Sequence, residues 1–349
     1  MIILAKISEI DRNFEVKNTF NNDGIVWVTP NDKPLSLYGV FFDGEKYKRM
    51  DSDVAKSVSN GVFCLHTNTS GGRITFETDS PYVAISVKGK FSHMPHMAFT
   101  GSAGFDLYVW DNGEFCHHSS FIPPVDNDKE YTGIIEFGTA ERKKILIHFP
   151  LYSDVDEVML GFDGNSVIEE YNPYRDVPPV VYYGSSITQG GCASRPGNNY
   201  PAIVSAKNLT DFICLGFSGN AHGEDEMADY IAGLDMSAFV MDYDHNDFNN
   251  PERMKQTHHT LYEKVRKAHP DIPIVIMTAP YSYRTLVQQG NFEVIEKTYL
   301  DAKARGENVF FIDGMKMFGE EYKTCGTVDG CHPNDFGFVK MAEAVLKFL

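Results

Sequence analysis

The repeat distance of apolar residues changes once along this chain, and that change limits what it can fold into. From Ile25 to about Val167 the repeat is two. Ile74, Phe76 and Thr78 alternate with Arg73, Thr75 and Glu77, and Val83, Ile85 and Val87 follow after Asp79-Ser80-Pro81. Phe105, Leu107 and Val109 alternate again, as do Ile145, Ile147 and Phe149. Residues two apart share one face of a strand, so this is the pattern of half-buried strands. Asp111-Asn112-Gly113 has the composition of a hairpin turn, because Asn and Gly accept positive φ at low cost. Many short strands with Gly, Pro, Asn and Asp between them predict an all-β sandwich, jelly-roll-like in organisation.

The pattern breaks at residues 171–179, a polar, proline-rich segment that reads as a domain boundary. The expected domains are therefore 1–175 and 176–349. A chain of 349 residues also exceeds what one core comfortably serves. Beyond the boundary, short apolar runs at 180–183, 212–217, 238–242, 274–277 and 309–312 alternate with helical patterns at 201–207, 224–231, 252–269, 292–305 and 336–349. In the third of these Met254, Leu261, Val265 and Ala268 fall on one face. Strand–helix alternation predicts a parallel sheet covered on both sides. With five strands, the expected fold is a flavodoxin-like three-layer α/β/α domain.

A formal charge of −17 provides no basic face, which argues against nucleic acid or an anionic membrane as partner. No apolar run reaches membrane-spanning length. The start, Met1-Ile2-Ile3-Leu4-Ala5-Lys6-Ile7-Ser8-Glu9, lacks the basic segment, long apolar core and cleavage site of a signal peptide. The expected location is cytoplasmic, or extracellular if a leader was trimmed. Six cysteines (Cys64, Cys116, Cys192, Cys214, Cys325, Cys331) are scattered with no Cys-x-x-Cys pair, which predicts reduced thiols. Pairing of Cys325 with Cys331 stays open. Proline between His93 and His96 spoils a helical ligand pair. His117 and His118, adjacent in a strand, point to opposite faces. Neither pair reads as a metal site.

The chemistry concentrates in the second half. Val180-Val181-Tyr182-Tyr183 runs into Gly184-Ser185-Ser186-Ile187-Thr188-Gln189-Gly190. Glycine permits a sharp turn at the carboxyl end of the strand, the edge where ligands bind in open α/β sheets. That makes Ser186 a candidate nucleophile. Nucleotide-binding motifs are absent: there is no G-x-G-x-x-G after a strand, and the glycines of 184–191 come without a lysine. The G-x-S-x-G elbow is missing too. Polar clusters instead follow successive strands: Gly216-Phe217-Ser218-Gly219-Asn220, then Asp242-Tyr243-Asp244-His245-Asn246-Asp247, then Asp329-Gly330-Cys331-His332-Pro333. A hydroxyl, backbone N–H groups at glycine, a side-chain amide and an Asp-x-x-His pair together suit acyl transfer by serine. His332 would take the proton of Ser186, and Asp329 would hold its tautomer. A cysteine nucleophile at Cys331 or Cys192 is disfavoured, since neither sits at the sharp strand-to-helix turn.

These blocks resemble the SGNH (GDSL-type) hydrolases. Gly184-Ser185-Ser186 is similar to the Gly-Asp-Ser block, with Ser185 where Asp is usual. Gly219 is similar to the second block, and Asn246-Asp247 to the third, with Asp244 where glycine is expected. Asp329-Gly330-Cys331-His332-Pro333 resembles the Asp-x-x-His block. In the first half, Gly104-Phe105-Asp106-Leu107-Tyr108 looks like the GxDLY segment of a sandwich that precedes one esterase branch. The resemblance covers roughly Val28 to the C-terminus. It implies Ser186 as nucleophile, His332 as base, Asp329 as its partner, and an oxyanion hole from Ser186, Gly219 and Asn246. It implies an esterase without metal or cofactor, with carbohydrate O-acetyl esters a common substrate class. The expected partner is a small-molecule or oligosaccharide ester. Residues 93–108 would then line one wall of the cleft. The alternatives are an esterase for small lipid or aryl esters and a sugar-binding protein on a catalytically inactive scaffold.

Overall fold

A computed structural model describes residues 10–11, 16, 18–21, 23–127, 129–247, 250–280 and 284–349. Two large antiparallel sheets and a two-stranded ribbon, Phe41–Phe42 with Tyr47–Lys48, form the first domain. One runs in the order Ile25–Val28, Asp154–Asp163, Tyr82–Lys90, Glu130–Glu136. The other runs Ile168–Glu169, Arg73–Thr78, Lys143–His148, Phe105–Asp111, Glu114–Phe121, with Ser36–Tyr38 also paired to Arg73–Thr78. The period-two residues meet between the sheets: Ile74, Phe76, Val83, Ile85, Phe105, Leu107, Ile145 and Ile147 share one core. The opposite face of Arg73–Thr78 is not solvated. Arg73 and Thr75 are fully buried, because the second domain and the linker lie against that face. Thr75 Oγ1 donates to the Tyr171 carbonyl at 2.5 Å.

The second domain carries a parallel sheet of five strands, ordered Phe212–Gly216, Val180–Gly184, Ala238–Asp242, Ile274–Met277, Val309–Ile312. Consecutive β-branched and aromatic residues fit because both faces are covered. Val181, Tyr183, Phe239 and Met241 pack on one side with helices Asp225–Ala232, Pro251–Ala268 and Leu286–Ala304. Val180, Tyr182, Phe212 and Val240 pack on the other with Tyr200–Asn208 and Asp335–Val345. In register, Gly184 stands opposite Gly216 on one side and Asp242 on the other. The loops after the three neighbouring strands therefore emerge at one level of one edge, which is what assembles the polar clusters.

The first half is not purely β. Helices Ser52–Val58 and Asn60–Leu65 are each started by a side-chain cap, Asp51 and Ser59. Met50, Ala55 and Val62 belong to the core of the parallel-sheet domain rather than to the sandwich. The helix expected from 292 begins earlier, at Leu286, where Thr285 and Gln288 form a capping box. Among the described residues no helix is long and apolar enough to cross a membrane.

Candidate active site

Strand Val180–Gly184 ends where Gly184 has no room for a side chain. A Cβ there would lie 2.1 Å from Thr188 Oγ1 and 2.2 Å from the Asp242 carbonyl oxygen. The turn delivers two serines with opposite assignments. Ser185 points inward, and its Oγ accepts the Ile187 N–H at 3.2 Å as the cap of the short helix Ser186–Gln189. Ser186 points to the sheet edge, where its Oγ lies 2.8 Å from His332 Nε2.

His332 arrives on a loop that Asp329 organises. One carboxylate oxygen accepts the N–H groups of Cys331 and His332, at 3.0 and 2.7 Å. The other lies 2.7 Å from His332 Nδ1. A carboxylate only accepts, so Nδ1 carries the proton and Nε2 offers its lone pair to Ser186. Burial alone would raise the Asp329 carboxyl. The hydrogen bonds it accepts from the His332 backbone and ring outweigh this and hold it near 2, so it stays ionised beside the imidazole. Asn334 next caps helix Asp335–Val345 by accepting the Gly337 N–H at 3.0 Å, which fixes the far end of the loop.

Gly219 and Asn246 lie together, but they are engaged with each other. The Gly219 N–H donates to Asn246 Oδ1 at 3.1 Å, and Asn246 Nδ2 donates to the carbonyls of Phe217 and Ala221 at 3.1 and 3.2 Å. This network also settles which amide atom is which, since two carbonyls can face only the NH₂ group. Asp244, standing in the glycine position of its block, turns inward. Both its carboxylate oxygens accept the Ala279 N–H at 3.1 Å, and burial pushes the group up to about 7.

Several supporting residues carried no sequence signal, because their partners are distant in the chain. Gln189 Oε1 accepts the Ser218 N–H at 3.0 Å, next to Gly219, while its Nε2 donates to Asn68 Oδ1 and the Leu151 carbonyl. Tyr152 OH donates to the Ser186 carbonyl at 3.2 Å. Asp106 and Tyr108 hold the segment that follows the Ser186 helix. Asp106 Oδ2 accepts the Gly197 N–H at 2.9 Å, and Arg195 Nη1 donates to Tyr108 OH at 3.1 Å. From the other side Ser194 donates through N and Oγ to Asp335, at 2.9 and 2.5 Å. One segment thus links the sandwich to the helix that begins three residues after His332.

Of the histidines set aside on sequence, His93 stacks on Phe99 while His96 faces His332, with ring centroids 5.7 Å apart. His117 packs edge-on against Tyr108, and His118 rests on Phe137. All six cysteines are free thiols. Burial pushes Cys331 up to about 12 and Cys192 up to about 11, and a protonated thiol is a poor nucleophile.

Comparison with known proteins identifies the family. Residues 178–349 match the GDSL-like lipase/acylhydrolase family, and residues 25–168 match the GxDLY N-terminus of SGNH-hydro-type esterases. None of the curated proteins compared matches the chain. Among solved structures, a candidate GDSL-like lipase from Bacteroides ovatus is 29% identical, covering 93% of this chain and 98% of its own, with a TM-score of 0.80. The salicylyl-acyltransferase SsfX3 of a tetracycline biosynthetic pathway shares the fold at 19% identity (93% and 97% covered, TM-score 0.76). So does a family two carbohydrate esterase from Clostridium thermocellum, solved with cellohexaose, at 15% identity (93% and 97%, TM-score 0.61). The chain belongs to the SGNH (GDSL-like) hydrolases, in the branch that carries an N-terminal GxDLY domain.

Proposed function

We propose that this protein is a serine esterase that removes small acyl groups, O-acetyl above all, from carbohydrates. The observation that carries the proposal is the unbroken chain from Ser186 Oγ through His332 to Asp329, with links of 2.8 and 2.7 Å. Ser186 attacks the ester carbonyl carbon as its proton passes to His332 Nε2. Asp329 stabilises the imidazolium that results. The tetrahedral intermediate then collapses, His332 returns the proton to the departing sugar oxygen, and the acyl group remains on Ser186. Water, deprotonated by the same imidazole, releases the acid.

The oxyanion formed on attack is met first by the Ser186 N–H, at a helix start where no intrahelical acceptor exists. Gly219 N–H joins when the oxyanion replaces Asn246 Oδ1 as its acceptor, and Asn246 Nδ2 joins by giving up one backbone carbonyl. Catalytic hydrogen bonds in a free enzyme often reach their working geometry only in the substrate complex. A carbohydrate substrate is supported by the fold shared with the family two carbohydrate esterase and with an acetyl xylan esterase from Butyrivibrio proteoclasticus. The Asp329 side chain is 35% exposed and that of His332 20%, while Ser186 beneath them is 4% exposed, so the ester group must enter a recess to reach the nucleophile.

The test pairs two neighbouring serines. On acetylated oligosaccharides, with released acetate as readout, Ser186→Ala lowers kcat by about 10⁴-fold or more, whereas Ser185→Ala leaves most of the activity. Equal losses, or the reverse order, remove Ser186 from this role. Release of salicylate from an aryl ester with no acetate from any sugar would redirect the substrate class.

A further inference from the structure

We propose that His96, Cys192, Asp329 and His332 form a zinc-binding site that competes with catalysis. Each residue offers one donor atom, and the four atoms all lie within 4.8 Å of one another. Tetrahedral zinc with bonds of about 2.0–2.3 Å spaces its donors roughly 3.5 Å apart, so a gap at the 4.8 Å limit must close by roughly 1.3 Å. Of the four, His96 is the least confined. It is exposed and comes from the sandwich, on the loop between Tyr82–Lys90 and the turn Phe99–Ser102. The other three are held in place. Cys192 is buried, and its backbone lies in the left-handed region (φ 72°). Asp329 is tied by two backbone N–H groups, and His332 by Asp329.

The donor set selects the metal class. Two imidazoles, a thiol and a carboxylate suit a borderline-soft ion, whereas calcium and magnesium prefer oxygen alone. The thiol proton leaves to solvent on binding, because a coordinated cysteine is deprotonated. One thiolate and one carboxylate then offset the two charges of the ion. The effect on chemistry follows from the ring of His332. If zinc takes Nε2, the lone pair facing Ser186 is used. If zinc takes Nδ1, the ring proton moves to Nε2, and the lone pair is again lost. Either mode disarms the proposed base.

Binding does not depend on the esterase assignment; inhibition does. The full chain, stripped with chelator, is titrated with zinc by calorimetry and with cobalt by its thiolate charge-transfer absorption. One ion per chain is expected, with affinity at least tenfold weaker in both Cys192→Ser and His96→Ala, and with the cobalt thiolate band lost in Cys192→Ser. His96 is exposed, so its variant keeps the test open should the cysteine variant fold poorly. Esterase turnover, normalised for each protein to its own metal-free rate, is expected to fall with the same zinc midpoint and to return with chelator. No binding at micromolar zinc, or equal affinity in wild type and both variants, overturns the site. Site-specific binding that leaves turnover unchanged overturns the competition. A chain that binds zinc through these residues but hydrolyses no ester would instead reject the proposed function and leave the site standing.

Discussion

Asp106 is a carboxyl sealed inside the joint between the domains, where it accepts the Gly197 N–H through Oδ2 and lies beside the Tyr108 hydroxyl. Burial pushes it up to about 7, with the Gly197 N–H and the Arg195 charge opposing only in part. Its folded-state value therefore exceeds the unfolded one. The stability it contributes is complete below the ordinary carboxylate range and is lost as pH rises through about 7. An asparagine has no such dependence. Relative to wild type, Asp106→Asn should gain thermal stability between pH 5 and pH 8, read as the difference in Tm at each pH. Comparing the two proteins cancels the buried histidines His148 and His258, which burial lowers and whose contribution runs the other way with pH. A Tm difference that stays flat across this range would mean Asp106 is ionised throughout. The sequence identified the Gly104–Tyr108 segment as distinctive without revealing this role. Asp106 and Gly197 are 91 residues apart, and no local pattern encodes such a contact.

Among the elements, the short turn Asp244–Asp247 shows how much of a site can rest on one loop. Asp244 fastens its start to Ala279, Asn291 Nδ2 donates to the Asp247 carbonyl at 3.0 Å, and Asn246 spans to the Gly219 turn. Asn246 is the side-chain donor proposed for the oxyanion. Asn246→Ala should lower kcat by about 10²–10³ with little change in KM, the scale of one lost oxyanion donor. A rise in KM with kcat intact would instead make Asn246 a substrate-binding residue. The elements differed in legibility for physical reasons. Strands of the parallel sheet were plain because continuous Val, Ile, Phe and Tyr can only be buried on both faces. The helices Ser52–Val58 and Asn60–Leu65 fall within the stretch read as period two, although Val54, Val58 and Val62 keep a spacing of four and Asp51 and Ser59 mark their starts. Short helices amid period-two strands are easily read as loops, and their partner surface belongs to the other domain. The early start at Leu286 was likewise written in Thr285 and Gln288. Ser186, Asp329 and His332 stood out because serine after a strand and Asp-x-x-His before a helix are local patterns. Gln189 and Tyr152 did not, since what they hold is distant in sequence.

Across the whole molecule, the sandwich covers the open edge of the parallel sheet. Phe212–Gly216 is an outer strand of that sheet, and an outer strand leaves alternate carbonyls unpaired. Here they are taken by two buried arginines of the first half. Arg73 donates to the Phe212 carbonyl at 3.0 Å, and Arg49 donates to those of Cys214 and Gly216 at 3.1 and 2.6 Å. Arg73 also lies over the Phe212 ring at 3.7 Å and pairs with Asp211. Met50, Ala55 and Val62 complete one core of the α/β domain, and Met97, Leu151 and Tyr152 complete the other. The two halves are therefore not independent beads. A fragment of residues 178–349 would expose apolar surface on both sides of the sheet and a bare strand edge between them, the combination that favours aggregation. It should be insoluble or lack a cooperative unfolding transition, whereas residues 25–349 should unfold in a single transition in calorimetry. Restoring only the sandwich in trans should not rescue the fragment, because helices Ser52–Val58 and Asn60–Leu65 must be in place as the core forms. If the fragment proves soluble, melts cooperatively and hydrolyses the same ester with unchanged kcat/KM, the arginine contacts and shared cores are incidental, and the sandwich is a passenger.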